Sequence, residues 1–295
     1  METFKWIVYE KWGEGRKQLP LFGCPHCENT VATLPFDAEI GKCNSCGKEI
    51  YVTDMLGFHL SMCENSAPEE IPSTYMTIHE TLLLFTAIKY FWENDRKYLS
   101  DCLFVKDGPL SIHAQYSKLV QSIRNFLAYT RDQGYPIHIV GQEKSGSFFD
   151  HFQFIRSNLP SCTSFVPKDH YIRKEIQGHS LSRAEYGMYT NYGAKIFVKL
   201  NEYHKMVLNI PTGKFNANPS TKDLIGYERI IATLPKIISN RYEGALLPIE
   251  LAHGIASLST YPSAKILRAC LKIELDLTIR IGLIHLNQKI VALNR

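Results

Sequence analysis

The sequence predicts an α/β fold, a mixed sheet flanked by helices, preceded by a small module built on four cysteines. Three observations carry that expectation. Short apolar runs at Leu103–Val105 and Pro136–Gly141 alternate with long helical patterns. A later pair of alternating segments reads as a hairpin. Cys24-Pro-His-Cys27 and Cys43-Asn-Ser-Cys46 repeat one knuckle, with fifteen residues between them.

The 295 residues, 45% hydrophobic and 21% charged, suit one large domain or two ordinary ones and exclude a disordered chain. The formal charge of +4 permits nucleic-acid binding without requiring it, because the footprint depends on clustering. No apolar run approaches the ~20 residues that span a bilayer, and Met1–Tyr9 lacks the features of a signal peptide. Residues 1–60 are expected to hold the N-terminal segment and cysteine module, and 61–295 the α/β domain. Cys63, Cys102, Cys162 and Cys270 are scattered, as free thiols in a reducing cytoplasm would be.

The C-x₂-C-x₁₅-C-x₂-C spacing aims four thiolates, Cys24, Cys27, Cys43 and Cys46, at one point. That is a tetrahedral shell for structural Zn²⁺, a zinc ribbon with short strands such as Glu49–Thr53. Gly47 supplies backbone freedom behind the second knuckle. His26 is expected to face solvent, since four thiolates fill the shell.

From Ser73 through Trp92 the pattern is helical and apolar on most sides, so a buried helix is expected, with Glu80 interrupting it. A buried carboxylate needs a partner or a cation, so Glu80 is a candidate metal ligand, against a snorkelling surface Glu. The strand at Leu103–Val105 delivers Asp107 to its end, where Gly108-Pro109 turns the chain. A carboxylate held there suits Mg²⁺ or Mn²⁺, which take oxygen ligands. The plain alternative is an ordinary turn.

Ser111–Asp132 reads as a helix, and Pro136–Gly141 as a strand running into Gln142-Glu-Lys-Ser-Gly146, ahead of a helix over Phe148–Ile155. Strand, helix, strand of this length makes a parallel βαβ unit and sets Asp107 and Lys144 on one edge of the sheet. Carboxylate for metal and ammonium for phosphate suit phosphodiester chemistry. Residues 158–183 read as a surface excursion. Ala194–Lys199 and His204–Ile210 form the hairpin. Its lysines Lys195, Lys199, Lys205 and Lys214, interleaved with Tyr192, Phe197, Tyr203 and Phe215, fit a strand-binding surface or a merely solvated face. Helices are expected over Thr221–Ser239, Pro248–Thr260 and Ser263–Ile281. On the second of these, His253 lies three residues after Glu250, among apolar neighbours that suit a core histidine equally well.

Three ordered pieces resemble the NurA nucleases, whose core is ribonuclease H-like. Val105-Lys-Asp-Gly-Pro-Leu110 is similar to that family's strand-borne Asp-Gly-Pro/Ser-Leu. Ile139-Val-Gly-Gln-Glu-Lys-Ser145 is similar to its strand ending in lysine, and Gly244–His253 to its late Gly-Tyr-Pro…Ala-His helix. The resemblance spans about residues 70 to 275 and implies a Mn²⁺- or Mg²⁺-dependent DNA nuclease. Such an enzyme usually dimerises and works with a HerA-type hexameric translocase in end processing or phage defence. It implies metal ligation by Glu80 and Asp107, ligation or proton transfer by His253, and a phosphate contact by Lys144. Two departures stand out. Ala245 occupies the aromatic position of Gly-Tyr-Pro, with Tyr242 nearby. The early strand with the family's first catalytic aspartate has no counterpart, since Asp37 and Asp54 lie within and just beyond the cysteine module. The alternative is thus a catalytically incomplete relative, an adaptor that binds DNA or docks on the ATPase.

Overall fold

The computed structural model describes residues 1–15, 21–27, 33–61, 67, 70–112, 117–178 and 184–256. The chain divides into two compact units, Met1–Ala245 and Leu246–Arg295. In the second unit the described residues after Leu246 form helix α8 (Leu247–Ala256). The expected helix over Ser263–Ile281 lies outside the described residues.

The first unit opens with α1 (Glu2–Val8), followed by the antiparallel pair β1 (Ile40–Lys42) and β2 (Glu49–Tyr51). The long helix α2 (Glu70–Asn94) and short α3 (Arg96–Asp101) lead into β3 (Leu103–Asp107). Then come α4 (Ser117–Asp132), β4 (His138–Glu143), α5 (Ser147–Ile155) and β5 (Thr163–Phe165). A single helical turn, α6 (Asp169–Tyr171), precedes β6 (Gly193–Lys199), β7 (Lys205–Pro211) and α7 (Tyr227–Ile237). One mixed five-stranded sheet runs in the order β3-β4-β7-β6-β5. β3 and β4 pair in parallel across α4, as the strand-helix-strand pattern predicts, with Asp107 opposite Gln142. The remaining pairings are antiparallel.

Helix α2 buries Thr74, Ile78, Thr81, Phe85, Ile88 and Trp92, a 4-3 repeat that defines one face. Phe85 and Trp92 meet Phe126 of α4 edge-on at 6.4 and 5.7 Å, and Trp6 of α1 joins at 5.0 Å. Such pairs contribute roughly 0.5–1.5 kcal/mol each beyond their buried area. The expectation of a helix buried on most sides is corrected here. Met76, Leu83 and Tyr90 on its other side are 55–62% exposed. The reason is geometric: one α-helix turns one face to the core it packs against, whatever the rest of its composition.

Phe22, Cys24, Leu34, Cys43, Ile50 and Val52 belong to the same continuous core as α1, α2 and α4. The cysteine module is therefore packed onto the sheet's helical layer. Nearer the other edge, Phe148 and Phe152 of α5 pack on Phe197 and Val207. Phe165 of β5 stacks on Phe197 at 5.9 Å, so part of the 158–183 segment is core rather than excursion. Gly226 (φ +73°) approaches His138 so closely that a Cβ there would lie 2.2 Å from the imidazole. No described helix is long and apolar enough to cross a membrane.

Candidate functional site

Two places gather chemistry-bearing side chains that the sequence singled out. The first is the cysteine module. β1 ends one residue before Cys43, and the turn back to β2 is closed by Cys43 N–H to the Lys48 carbonyl and Gly47 N–H to the Cys43 carbonyl, both 2.9 Å. Gly47 takes φ +71°, the left-handed conformation the turn requires. The Sγ atoms of Cys24, Cys27, Cys43 and Cys46 all lie within 4.8 Å of one another. Cys24 and Cys46 are 3.8 Å apart, as are Cys27 and Cys43. Backbone N–H groups of His26 and Ser45 point at the Cys24 and Cys43 sulfurs from 3.4 Å. His26 stands outside the cluster, its Nε2 3.0 Å from the Glu49 carbonyl on the exposed side.

The thiols differ in acidity. Backbone N–H groups of Cys46 and Ser45 draw the Cys43 thiol down to about 6. At Cys46 a hydrogen bond from the Lys48 backbone acts the same way, but burial and the neighbouring thiols outweigh it and push the group up to about 11. One thiolate forms readily, and the next is resisted. A divalent cation removes that resistance, because metal-bound cysteines are deprotonated. The four-cysteine group can thus hold a metal ion such as zinc.

The second place is the rim where β3 and β4 end. Parallel pairing sets Asp107, the last residue of β3, beside the end of β4, just before Lys144. Lys144 Nζ reaches the two Asp107 carboxylate oxygens at 3.0 and 3.1 Å. On the other side Lys106 Nζ lies 3.7 Å from Glu80 Oε2 and donates to the Asp107 carbonyl at 3.2 Å. Burial lowers the Lys106 pKa, against the opposing pull of Glu80 and Asp107. The rim therefore reads Glu80, Lys106, Asp107, Lys144, with alternating charge. Gly108 N–H donates to the Gln142 carbonyl at 2.7 Å and turns the chain at φ +90°. That turn passes directly over Gly141, where a Cβ would lie 2.6 Å from the Gly108 oxygen.

Glu80 is on α2 as expected, yet it does not interrupt a buried surface. Its side chain is 47% exposed and ion-paired. His253 lies in the second unit, on α8. Among the described residues, the four cysteines are the only group of three or more acidic, thiol or imidazole side chains close enough to share an ion.

The hairpin departs most from the sequence reading. Lys195 and Lys199 are buried, as are Tyr192 and Phe197, so the expected platform of alternating lysines and rings does not form. β6 is covered by α5 on the face that carries 195, 197 and 199. Lys199 Nζ is held by the carbonyls of Arg156 and Leu159 at 3.1 and 2.8 Å. Lys195 pairs with Glu143, whose same oxygen accepts from Asn209 Nδ2 at 2.6 Å. The sequence reading also missed Arg124. The residue is 2% exposed, and its guanidinium donates to the carbonyls of Gly187, Met188 and Asn191. A signal was present in Lys195 and Lys199, each two positions from Phe197 on an apolar strand, which puts all three on one face.

Compared with protein-family models, with curated proteins and with solved structures, the chain matches none.

Proposed function

We propose that the chain is a NurA-like, metal-dependent DNA nuclease with a zinc ribbon. In this reading its mixed sheet is a ribonuclease H-like core without the opening strands. The observation that carries the proposal is the rim, where two parallel strands bring a carboxylate and an ammonium to one edge 3.0 Å apart. The donor set fits a hard cation: Mg²⁺ is commonly held by one or two carboxylates, with substrate phosphate and water completing the shell. Asp107 and Glu80 would hold it, and the bound ion would polarise the phosphate and activate water. Lys144 would exchange Asp107 for a phosphate oxygen. That exchange costs little, because the Asp107–Lys144 pair is about two-fifths exposed and exposed pairs contribute only about 0–1 kcal/mol. His253 remains a proposed ligand or proton carrier. The proposed setting is cytoplasmic, as a homodimer with a HerA-type hexameric translocase, in DNA repair or antiviral defence.

A second reading is favoured by a specific observation. Both rim carboxylates already face lysines, and among the described residues of the first unit they form no group of three acidic, thiol or imidazole side chains close enough to share an ion. The chain would then be a catalytically incomplete adaptor that binds DNA or docks on the ATPase through its zinc ribbon. The two separate cleanly. Linear DNA is incubated with Mn²⁺ and the chain, with and without a HerA-type ATPase, and again with Asp107→Asn. Cleavage that Asp107→Asn abolishes supports the nuclease. Cleavage that survives the substitution refutes the assigned site, and no cleavage with the translocase present leaves the adaptor.

A further inference from the structure

The Lys195 ammonium is the least satisfied buried charge on the sheet. Its side chain is 4% exposed. It carries three N–H donors, yet among the described residues Glu143 is its one hydrogen-bond acceptor. The Phe148 ring also lies beside it, 4.7 Å from Nζ to the centroid. Leaving buried donors without acceptors is costly. Lys195 lines a cavity of about 30 Å³, together with Asp169, Tyr186, Asn191, Phe215 and Asn216. That volume has room for two or three water-sized groups.

The lining has a definite chemistry. Its two charged lining side chains are each paired, Lys195 with Glu143 and Asp169 with Arg173 at 3.4 Å. Two aromatic rings, Tyr186 and Phe215, form walls. Burial raises the Tyr186 pKa well above its ordinary value, so its hydroxyl stays protonated. The Phe215 ring already has the Arg124 guanidinium 5.2 Å from its centroid. Asn191, Asn216 and Lys195 bring two carboxamide side chains and a lysine to the same lining. Aromatic walls with amide and ammonium groups beside them suit a flat heterocycle bearing an exocyclic carbonyl.

The sheet also fixes the distance to the rim. Lys106, Gly141, Asn209 and Lys195 stand opposite one another across β3, β4, β7 and β6. Three strand spacings separate the ends of that row, about 14 Å.

We propose that this cavity admits the edge of a nucleobase and selects bases with an exocyclic carbonyl through Lys195. Its place on a DNA strand that crosses the rim rests on the function proposed above; binding of the base itself does not.

The test uses the full chain, without metal, and free nucleosides read by saturation-transfer NMR. Deoxyguanosine, thymidine and deoxycytidine carry exocyclic carbonyls, and deoxyadenosine does not. The first three are expected to bind at least about tenfold more tightly. Lys195→Met combined with Glu143→Leu removes both charges together, so neither is stranded, and is expected to erase that preference. Phe215→Ala on the wall should weaken every nucleoside about tenfold, given what stacking contributes per base. Equal binding of deoxyadenosine, a preference that survives the double substitution, or no transfer from any nucleoside overturns the proposal. The last result would mean that water alone satisfies Lys195. A chain that selects nucleosides but never cuts DNA keeps the cavity and loses the nuclease, and the reverse result does the opposite.

Discussion

Removing the metal from the four-cysteine site is expected to destabilise the whole first unit rather than its own loops alone. The perturbation is Cys43→Ala, or excess phenanthroline on the native chain. Cys24 and Cys43 are 0% and 2% exposed and share a continuous core with Phe4 and Ile7 of α1 and with Tyr9 just beyond it. β1 and β2 have three residues each, and a lone two-stranded hairpin is marginal in water. A structural zinc contributes about 10–16 kcal/mol in isolated fingers, comparable with the roughly 5–15 kcal/mol that stabilises a typical domain. If about 3 kcal/mol of that reaches the shared core, the Tm falls by about 6–12 °C for a unit of this size. The assays are metal content by mass spectrometry, calorimetry with and without chelator, and hydrogen exchange in α1. A chain that carries no zinc, takes none up and melts unchanged with chelator refutes the reasoning. So does a loss of protection confined to residues 21–56 with α1 unaffected.

Three further outcomes follow from named contacts. Gly141→Ala places a methyl 2.6 Å from the Gly108 carbonyl and 3.1 Å from Leu110. It should cost about 1–3 kcal/mol in urea melts and loosen the Asp107 turn without touching a charged residue. Arg124→Met removes the donor from the Met188 and Asn191 carbonyls, while the Gly187 carbonyl keeps the Asn191 backbone N–H at 2.9 Å. At about 1–3 kcal/mol for a buried unsatisfied group, a loss of at least about 2 kcal/mol is expected by chemical denaturation. Burial, helped by the Arg229 charge, holds the His138 pKa below its ordinary value. Below about pH 6.5 the unfolded chain therefore binds the proton first, and stability falls as pH drops toward the folded pKa while staying full above 6.5. Urea melts at several pH values should show that slope reduced in His138→Gln, and an unchanged slope would remove His138 as its source.

Local spacing determined a good deal. The two knuckles specify a four-sulfur cluster because each C-x-x-C turn is a self-contained geometry, and Gly47 takes the left-handed conformation its place in that turn demands. Period-2 and period-3.6 patterns placed β3, β4, the β6–β7 hairpin and α2 to within a few residues. The parallel pairing that sets Asp107 beside Lys144 follows from connection length alone.

What remained illegible were the relations between faces. Composition makes α2 apolar nearly all round, and only docking against its neighbours, Phe126 of α4 among them, decided that Phe85 is buried while Leu83 is exposed. Lys195 looks like a surface lysine until α5 covers β6 and Glu143 arrives from a strand fifty residues earlier to neutralise it. Glu80 belongs to the rim only because Lys106 points toward α2. Sequence fixes which side chains share a face, because that depends on a residue's near neighbours. Tertiary structure decides which face meets water and which charges meet each other, because both depend on elements that the chain brings together from a distance.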